Sequence, residues 1–388
     1  MNSGALAGIH VVEIGSGAAA AYAAKLFADS GAEVVKVEPP SGDATRRSGP
    51  FPGGVSDPET SGLFLYLNAN KRGVILDLDD ERSRAKLERL LGRADVCFTD
   101  LPPTRLASLE ILPEETSRRH SRLVSTAITP FGLFGPNRDL KAYDLTLWNA
   151  GGLATLNGLG PGGDDLPPLA AYGPQASLQG GVNGALATVA ALIARRRDGR
   201  GQAIDVSIQE CVTTILELTL PFWPYCGLVA SRLGGKPIQP LDFLECKDGW
   251  IFLCIVEEHQ WRSFVDFMGN PDWAGMDIFG DRLSRAANWD ALKPMLAEWM
   301  ATQSVGELYR ALHARRVPIA PVSTMGDLLD SAHLRARGFF VSIAHPRAGA
   351  PRMPGAPFLF SRTPWQLRRP APLLGQHTDE VLAELGAR

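Results

Sequence analysis

The sequence predicts an α/β protein with a Rossmann-like, doubly wound large domain and a small α+β domain. Three observations carry this reading. Through the first half of the chain, apolar runs of strand length alternate with stretches of helical period, the pattern of βαβ units and a parallel sheet. The 388 residues exceed the size at which one core keeps growing. Past residue 221 the composition changes to WPYCGLVASRLGGKPIQP, rich in turn formers, which marks the entry to a second domain. The expected layout is 1–222 as the first part of the large domain, 223–325 as the small domain with its linkers, and 326–388 as a return to the large domain.

Taken in order, IHVVEIG at 9–15 reads as the first strand, followed by the turn Gly15-Ser16-Gly17 and an alanine-rich helix over 18–28. EVVKVE at 33–38 is the second strand and stops at Pro39-Pro40; a right-handed crossover makes the pair parallel. Strands at 73–78, 95–99 and 123–128 follow, with a helix over 81–91. After a long helix come a strand at 202–208 and a helix at 210–220. The second domain holds strands at 242–246 and 250–256 and helices near 260–268, 289–301 and 305–314. VPIAPV at 317–322 closes it, the chain returns through 328–337, and a last helix covers 379–385.

The long helix lies between 171 and 202. Leu178, Val182, Leu186, Val189 and Ile193 recur at spacings of three and four, an apolar stripe roughly five turns long. Gly180, Gly181, Gly184 and several alanines make its first half thin, open to the approach of another backbone or a flat ligand. Arg195, Arg196 and Arg197 suit the negative end of the helix dipole, and Gly199 suits a left-handed stop. Ser177 reads as the N-cap, and free amides at that end attract negative charge.

Composition excludes some functions. Hydrophobic residues make up 45% and charged residues 21%, as in ordinary globular proteins. With 39 basic and 42 acidic side chains interspersed and a net charge of -3, there is no broad footprint for nucleic acid or an anionic membrane, so an anion site must be local. No basic segment precedes the first apolar residues, and no uninterrupted apolar run reaches about 18 residues, so a cytoplasmic location is expected. Cys97, Cys211, Cys226, Cys246 and Cys254 are scattered in apolar surroundings, as buried thiols of a reducing compartment. Neither a CxxC pair nor clustered histidines suggest a metal.

Four stretches carry chemistry. GSGAAA at 15–20 matches a permissive dinucleotide fingerprint, with Glu38 near the distance for a ribose contact, but any tight strand-to-helix turn favours small residues. In Gly42-Asp43-Ala44-Thr45-Arg46-Arg47, Arg46 or Arg47 can take a phosphate bidentately, or Asp43 and Arg46 form a surface pair. Lys71 and Arg72, after Asn70, suit a phosphate or a solvated strand start. Lys141, Tyr143 and Asp144 bring a cation, a phenol and a carboxylate within four residues; the Tyr-Asp pair suits acid or base chemistry, or a helix-start acid beside a buried tyrosine.

These pieces, with LAGIHVVEIG, GAEVVKVEPPSGDATR, LNANKRGVILDLDDERSRAKLERLLGRADV, RDGRGQAIDV, CKDGW, LRARG and GQHTDEVLAELG, make the chain resemble the family III CoA-transferases, the CaiB-BaiF family, from end to end. The resemblance implies two ring-shaped monomers interlocked as a homodimer, and coenzyme A or an acyl-CoA as substrate with no metal. It reassigns GSGAAA to a coenzyme A cradle at Ala19, Ala20 and Ala21. It also makes Arg46, Lys71 and Lys141 cations that meet the coenzyme, with Arg72 beside Lys71 a further candidate. Three departures stand out. Asp100-Leu101-Pro102-Pro103 replaces the family's Asn-Phe-x-Pro, Lys25 stands where glutamine is common, and the family's nucleophilic aspartate, 22 residues before the glycine at 199, falls on Ser177. Family racemases place a histidine where Tyr143 stands.

Three functions are therefore expected to compete. One is an acyl-CoA:carboxylate CoA-transferase using Asp144, with Tyr143 as oxyanion donor. The second is a catalytically inactive coenzyme A-binding subunit in a mixed oligomer with an aspartate-bearing paralogue. The third is another acyl-CoA reaction, racemisation, isomerisation or lyase chemistry, on the same fold.

Overall fold

The computed structural model describes residues 4–157, 167–230 and 238–386. The chain divides into two compact units, Met1–Arg232 with Ala336–Arg388, and Leu233–Arg335. The second unit thus begins at 233 against the expected 223 and ends at 335 against 325.

In the larger unit, six parallel strands form one sheet: β1 (His10–Ile14), β2 (Glu33–Glu38), β3 (Lys71–Ile75), β4 (Val96–Thr99), β5 (Val124–Thr129) and β6 (Ala203–Ser207), in the order β3-β2-β1-β4-β5-β6. The chain winds outward in both directions from β1, so the switch point, where open α/β sheets leave a crevice, lies between β1 and β4. Period-two alternation explains the continuous apolar runs. Val11, Val34, Val96 and Val124 pack on one face with Ala20, Ala23, Ala24 and Phe27 of the helix Ala18–Asp29. Val12, Ile14, Val35 and Val37 pack on the other with Leu87, Leu90 and Leu91 of the helix Glu81–Leu91 and Val381 of the helix Thr378–Gly386.

Two elements differ from expectation for physical reasons. β3 starts at Lys71, two residues early, because the Lys71 side chain turns inward to an ion pair with Glu13. The helix expected at 210–220 is Ile208–Thr213 followed by the short turn Thr214–Leu216. There the Thr213 and Thr214 hydroxyls donate back to the carbonyls of Gln209 and Cys211, competing with the helix ladder.

The long helix is Gln175–Asp198, stopped by Gly199 at φ 76°. Its packing inverts the expected arrangement. The buried face is the thin one, Ala176, Gly180, Gly181, Gly184, Ala185, Thr188 and Ala191, whereas Val182, Leu186 and Ile193 of the aliphatic stripe are exposed. A Cβ on Gly181 would stand 2.8 Å from the Ala19 carbonyl, and one on Gly184 would stand 2.5 Å from Ile128 Cδ1. The glycines let the helix lie against the first helix and β5, and this packing takes the place of a ligand. By length and composition the helix could cross a membrane. Its inner face is instead packed in the core, and its buried Arg195 pairs with Asp95 at 2.8 Å.

The smaller unit holds an antiparallel sheet of Leu241–Cys246, Gly249–Cys254 and Ile319–Pro321. Leu244, Ile251 and Leu253 share a core with Phe264, Leu296 and Leu312, contributed by the helices Glu258–Phe267, Trp289–Met300 and Val305–Ala314. Trp223, Tyr225 and Phe243 are all exposed. Cys97, Cys211 and Cys246 are buried as expected, but Cys226 is exposed.

Candidate functional site

At the switch point a crevice of about 190 Å³ is lined by Gly15 and Ser16 after β1, Pro39 after β2, Leu76 to Asp79 after β3, and Leu101 and Arg105 after β4. Arg105 is its cation, 2.8 Å from Asp79. Beside it, Asp100 is bound into the turn after β1, accepting from the amides of Ser16 at 3.1 Å and Ala20 at 3.2 Å. Burial, reinforced by the Asp43 charge, pushes the Asp100 carboxyl up to about 6. Ala19 and Ala20, expected to cradle coenzyme A, are buried in the first turn of the helix, with the Ala20 amide committed to Asp100.

Behind this turn the interior carries a chain of ion pairs. Glu13 and Lys36 face one another across β1 and β2, and Glu13 bridges Lys36 at 2.6 Å and Lys71 at 2.7 Å. Lys36 also pairs with Asp43 at 2.6 Å. Burial opposes the Glu13 charge, but the two ammonium groups outweigh it and hold its carboxyl below the usual range. Burial pulls Lys71 down to about 8 against the attraction of Glu13. The remaining donors of Lys71 go to the Ala21 carbonyl at 2.8 Å and Asn68 Oδ1 at 2.9 Å. Arg46 forks onto Glu38 at 2.7 and 2.8 Å, reaches Glu59 at 2.8 Å, and stacks over Phe64.

These contacts give two of the expected cations internal partners. Arg46 and Lys71 are fully buried and spend their donors on internal acceptors, so neither presents a donor to a phosphate in this structure. The Arg46 partner is Glu38, not Asp43. Arg72 sits near the amino end of β3, opposite the crevice, and pairs with Glu380 at 3.0 Å and Glu384 at 2.7 Å. Lys141 is exposed in the loop before the helix Asp144–Ala150.

The second half of the site is the start of the long helix. Asp144 accepts from the Ala176 amide at 2.9 Å through one oxygen and from the Ser177 amide at 2.8 Å through the other. Ser177 is therefore not the cap: the helix begins at Gln175, Ser177 is in its first turn, and the capping carboxylate comes from another element. Tyr143 is 79% exposed, not a buried tyrosine. Because Gly181 lies against Ala19, the amino ends of the long helix and of Ala18–Asp29 converge on this edge of the sheet. Each carries a carboxylate from elsewhere in the chain, Asp144 on one and Asp100 on the other. Among the described residues, no group of three His, Cys, Asp or Glu is arranged to hold a metal.

Sequence reasoning missed Arg105 and the capping roles of Asp100 and Asp144. The signal available for Arg105 was its position just after β4, on the edge where open sheets bind ligands. Nothing local announced the two caps, since each joins residues more than thirty positions apart.

Residues 6–378 match the model of CoA-transferase family III. The succinyl-CoA:(R)-benzylsuccinate CoA-transferase subunit BbsE of Thauera aromatica is 33% identical over 377 residues, covering 94% of this chain and 90% of that protein. The succinyl-CoA–L-malate CoA-transferase beta subunit of Chloroflexus aurantiacus is 29% identical over 386 residues, covering 98% and 94%. Among solved structures, a CAIB/BAIF family protein from Brucella suis superposes with a TM-score of 0.89 at 27% identity, covering 99% of this chain and 100% of that one. With the six-stranded sheet and its switch-point crevice, these matches establish that the chain belongs to CoA-transferase family III.

Proposed function

We propose that this chain binds coenzyme A or an acyl-CoA as a CoA-transferase subunit that does not itself form the acyl-enzyme, the carboxylate being supplied by another chain of a mixed oligomer. One observation carries the reading. At the start of the long helix stands Ser177, and the neighbouring carboxylate, Asp144, has both oxygens committed to backbone amides. In the transferase reaction a carboxylate attacks the thioester carbonyl, the C–S bond breaks, the CoA thiolate leaves, and a mixed anhydride forms; the thiolate then attacks its enzyme-side carbonyl, releasing the first acid, and the enzyme thioester passes CoA to the second carboxylate. A serine hydroxyl needs a base to attack. It would also leave an ester too unreactive to pass its acyl group to a carboxylate. No histidine lies between His120 and His259 to serve as that base.

Two further points support a partner chain. The relatives from Thauera and Chloroflexus are named as subunits. The exposed Val182, Leu186 and Ile193 form an aliphatic stripe on the long helix, the kind of surface a second chain covers.

The experiment follows exchange of labelled coenzyme A into acyl-CoA by the purified chain. The expected result is binding without exchange in the wild type and a gain of exchange in Ser177→Asp. Exchange by the wild type alone would overturn the proposal, and trapping of the acyl group on Asp144 would make Asp144 the nucleophile.

A further inference from the structure

The turn after β1 is a nest of backbone N–H groups at the amino end of the helix Ala18–Asp29, a place that ordinarily receives a phosphate. Here it is filled by the chain itself. Asp100 takes the amides of Ser16 and Ala20, one with each oxygen, at 3.1 and 3.2 Å. The fit is close on both sides: a Cβ on Gly15 would overlap Asp100 Oδ1, and one on Gly17 would stand 2.7 Å from Asp100 Oδ2. The two glycines that make this turn look like a phosphate cradle are thus spaced around a resident carboxylate.

We infer that Asp100 is a specificity-determining residue of the site, a built-in anion that closes the turn after β1 to a ligand phosphate and leaves it only to uncharged groups. This rests on the reading that the chain binds coenzyme A. A phosphate entering the turn would compete for amides that Asp100 already holds. It would also meet that carboxylate at short range, with the Asp43 and Glu13 charges behind it and Lys36 only partly offsetting them. The phosphates of a coenzyme A bound at this edge therefore lie outside the turn, on the side of the crevice where Arg105 stands.

The test uses the full chain and two variants. Asp100→Asn keeps the shape and removes the charge; Asp100→Ala empties the turn and guards against an effect peculiar to the amide. Inorganic pyrophosphate is the probe, read by calorimetry near neutral pH, with circular dichroism to verify folding. Asp100→Ala is expected to bind pyrophosphate about tenfold or more tightly than the wild type, the factor for removing one nearby like charge, and Asp100→Asn, whose amide still fills the turn, to gain less. Equal affinity in all three proteins, or no pyrophosphate binding by either variant, overturns the inference. Coenzyme A is titrated in parallel. If the wild type fails to bind it while the pyrophosphate contrast persists, the coenzyme A reading falls and the role of Asp100 stands.

Discussion

Asp144→Ala separates a capping carboxylate from a catalytic one. The side chain accepts two amide hydrogen bonds, at 2.9 Å from Ala176 and 2.8 Å from Ser177, at the positive end of a 24-residue helix. Ala176 is fully buried, so its amide would lose its partner with no water to replace it, whereas the half-buried Ser177 can be rehydrated. A stranded amide costs about 1–3 kcal/mol and a lost charge at a helix amino end about 0.3–1 kcal/mol, which together give roughly 2–3 kcal/mol. Asp144→Asn should not rescue this, because its Oδ1 satisfies one amide while its NH₂ faces the other, donor against donor. The assays are thermal unfolding and hydrogen exchange at Ala176 and Ser177. The expected result is a fall of about 3–6 °C in Tm with faster exchange at both amides. A variant within about 0.5 kcal/mol of the wild type, with unchanged exchange, would refute the capping role.

Three other outcomes follow from the packing and the charges. Gly181→Ala should destabilise by about 1–2 kcal/mol, because its Cβ meets the Ala19 backbone carbonyl at 2.8 Å; Gly184→Ala should be close to neutral, because the Ile128 methyl it meets can move and alanine favours helix. Thermal melts rank the two, and the opposite order would contradict the backbone contact. Arg46→Lys should cost roughly 2–4 kcal/mol in urea unfolding without lowering affinity for coenzyme A, since a lysine cannot fork onto Glu38 and reach Glu59; a stable variant with weakened binding would restore Arg46 as a ligand contact. The Asp100 carboxyl, raised from 3.8 to about 6, binds its proton more tightly folded than unfolded. Its contribution therefore falls as pH rises from about 4 to 6, and Asp100→Asn should gain up to roughly 3 kcal/mol on the wild type across that window. Parallel pH profiles would contradict it.

The strands were legible because each is a short apolar run closed by Gly, Pro or a charged turn, and the parallel order follows from the βαβ alternation. Glu13 and Lys36, inside two of those runs, are the exceptions that mattered. A lone charge in a strand reads as an outward position, and only the register that sets Glu13 opposite Lys36 reveals a buried pair. The same limit governs Arg46 and Lys71. Cations beside turns suggest an anion outside the protein, yet their partners Glu38, Glu59 and Glu13 are within it. The long helix failed in a different way. Period and hydropathy identify an apolar face but do not say which face packs, and here close backbone approach won over side-chain bulk, so the glycines went in and Val182 and Leu186 stayed out.

Because the Ser177 amide is 2.8 Å from Asp144, any carboxylate placed on residue 177 would stand within a few ångströms of one that already neutralises the helix end. It would gain little from the dipole and would feel the like charge, at a cost of roughly 1–3 kcal/mol when both are ionised. The same repulsion raises its pKa and keeps it basic, which favours attack on a thioester. Serine avoids that cost. Ser177→Asp should therefore unfold more easily than the wild type near neutral pH, with the difference vanishing below about pH 4, where the new carboxyl is protonated in both states. If Ser177→Asp were instead as stable as the wild type near neutral pH, the two side chains would not be close enough to couple. Asp144 would then not raise the basicity of a carboxylate at this position.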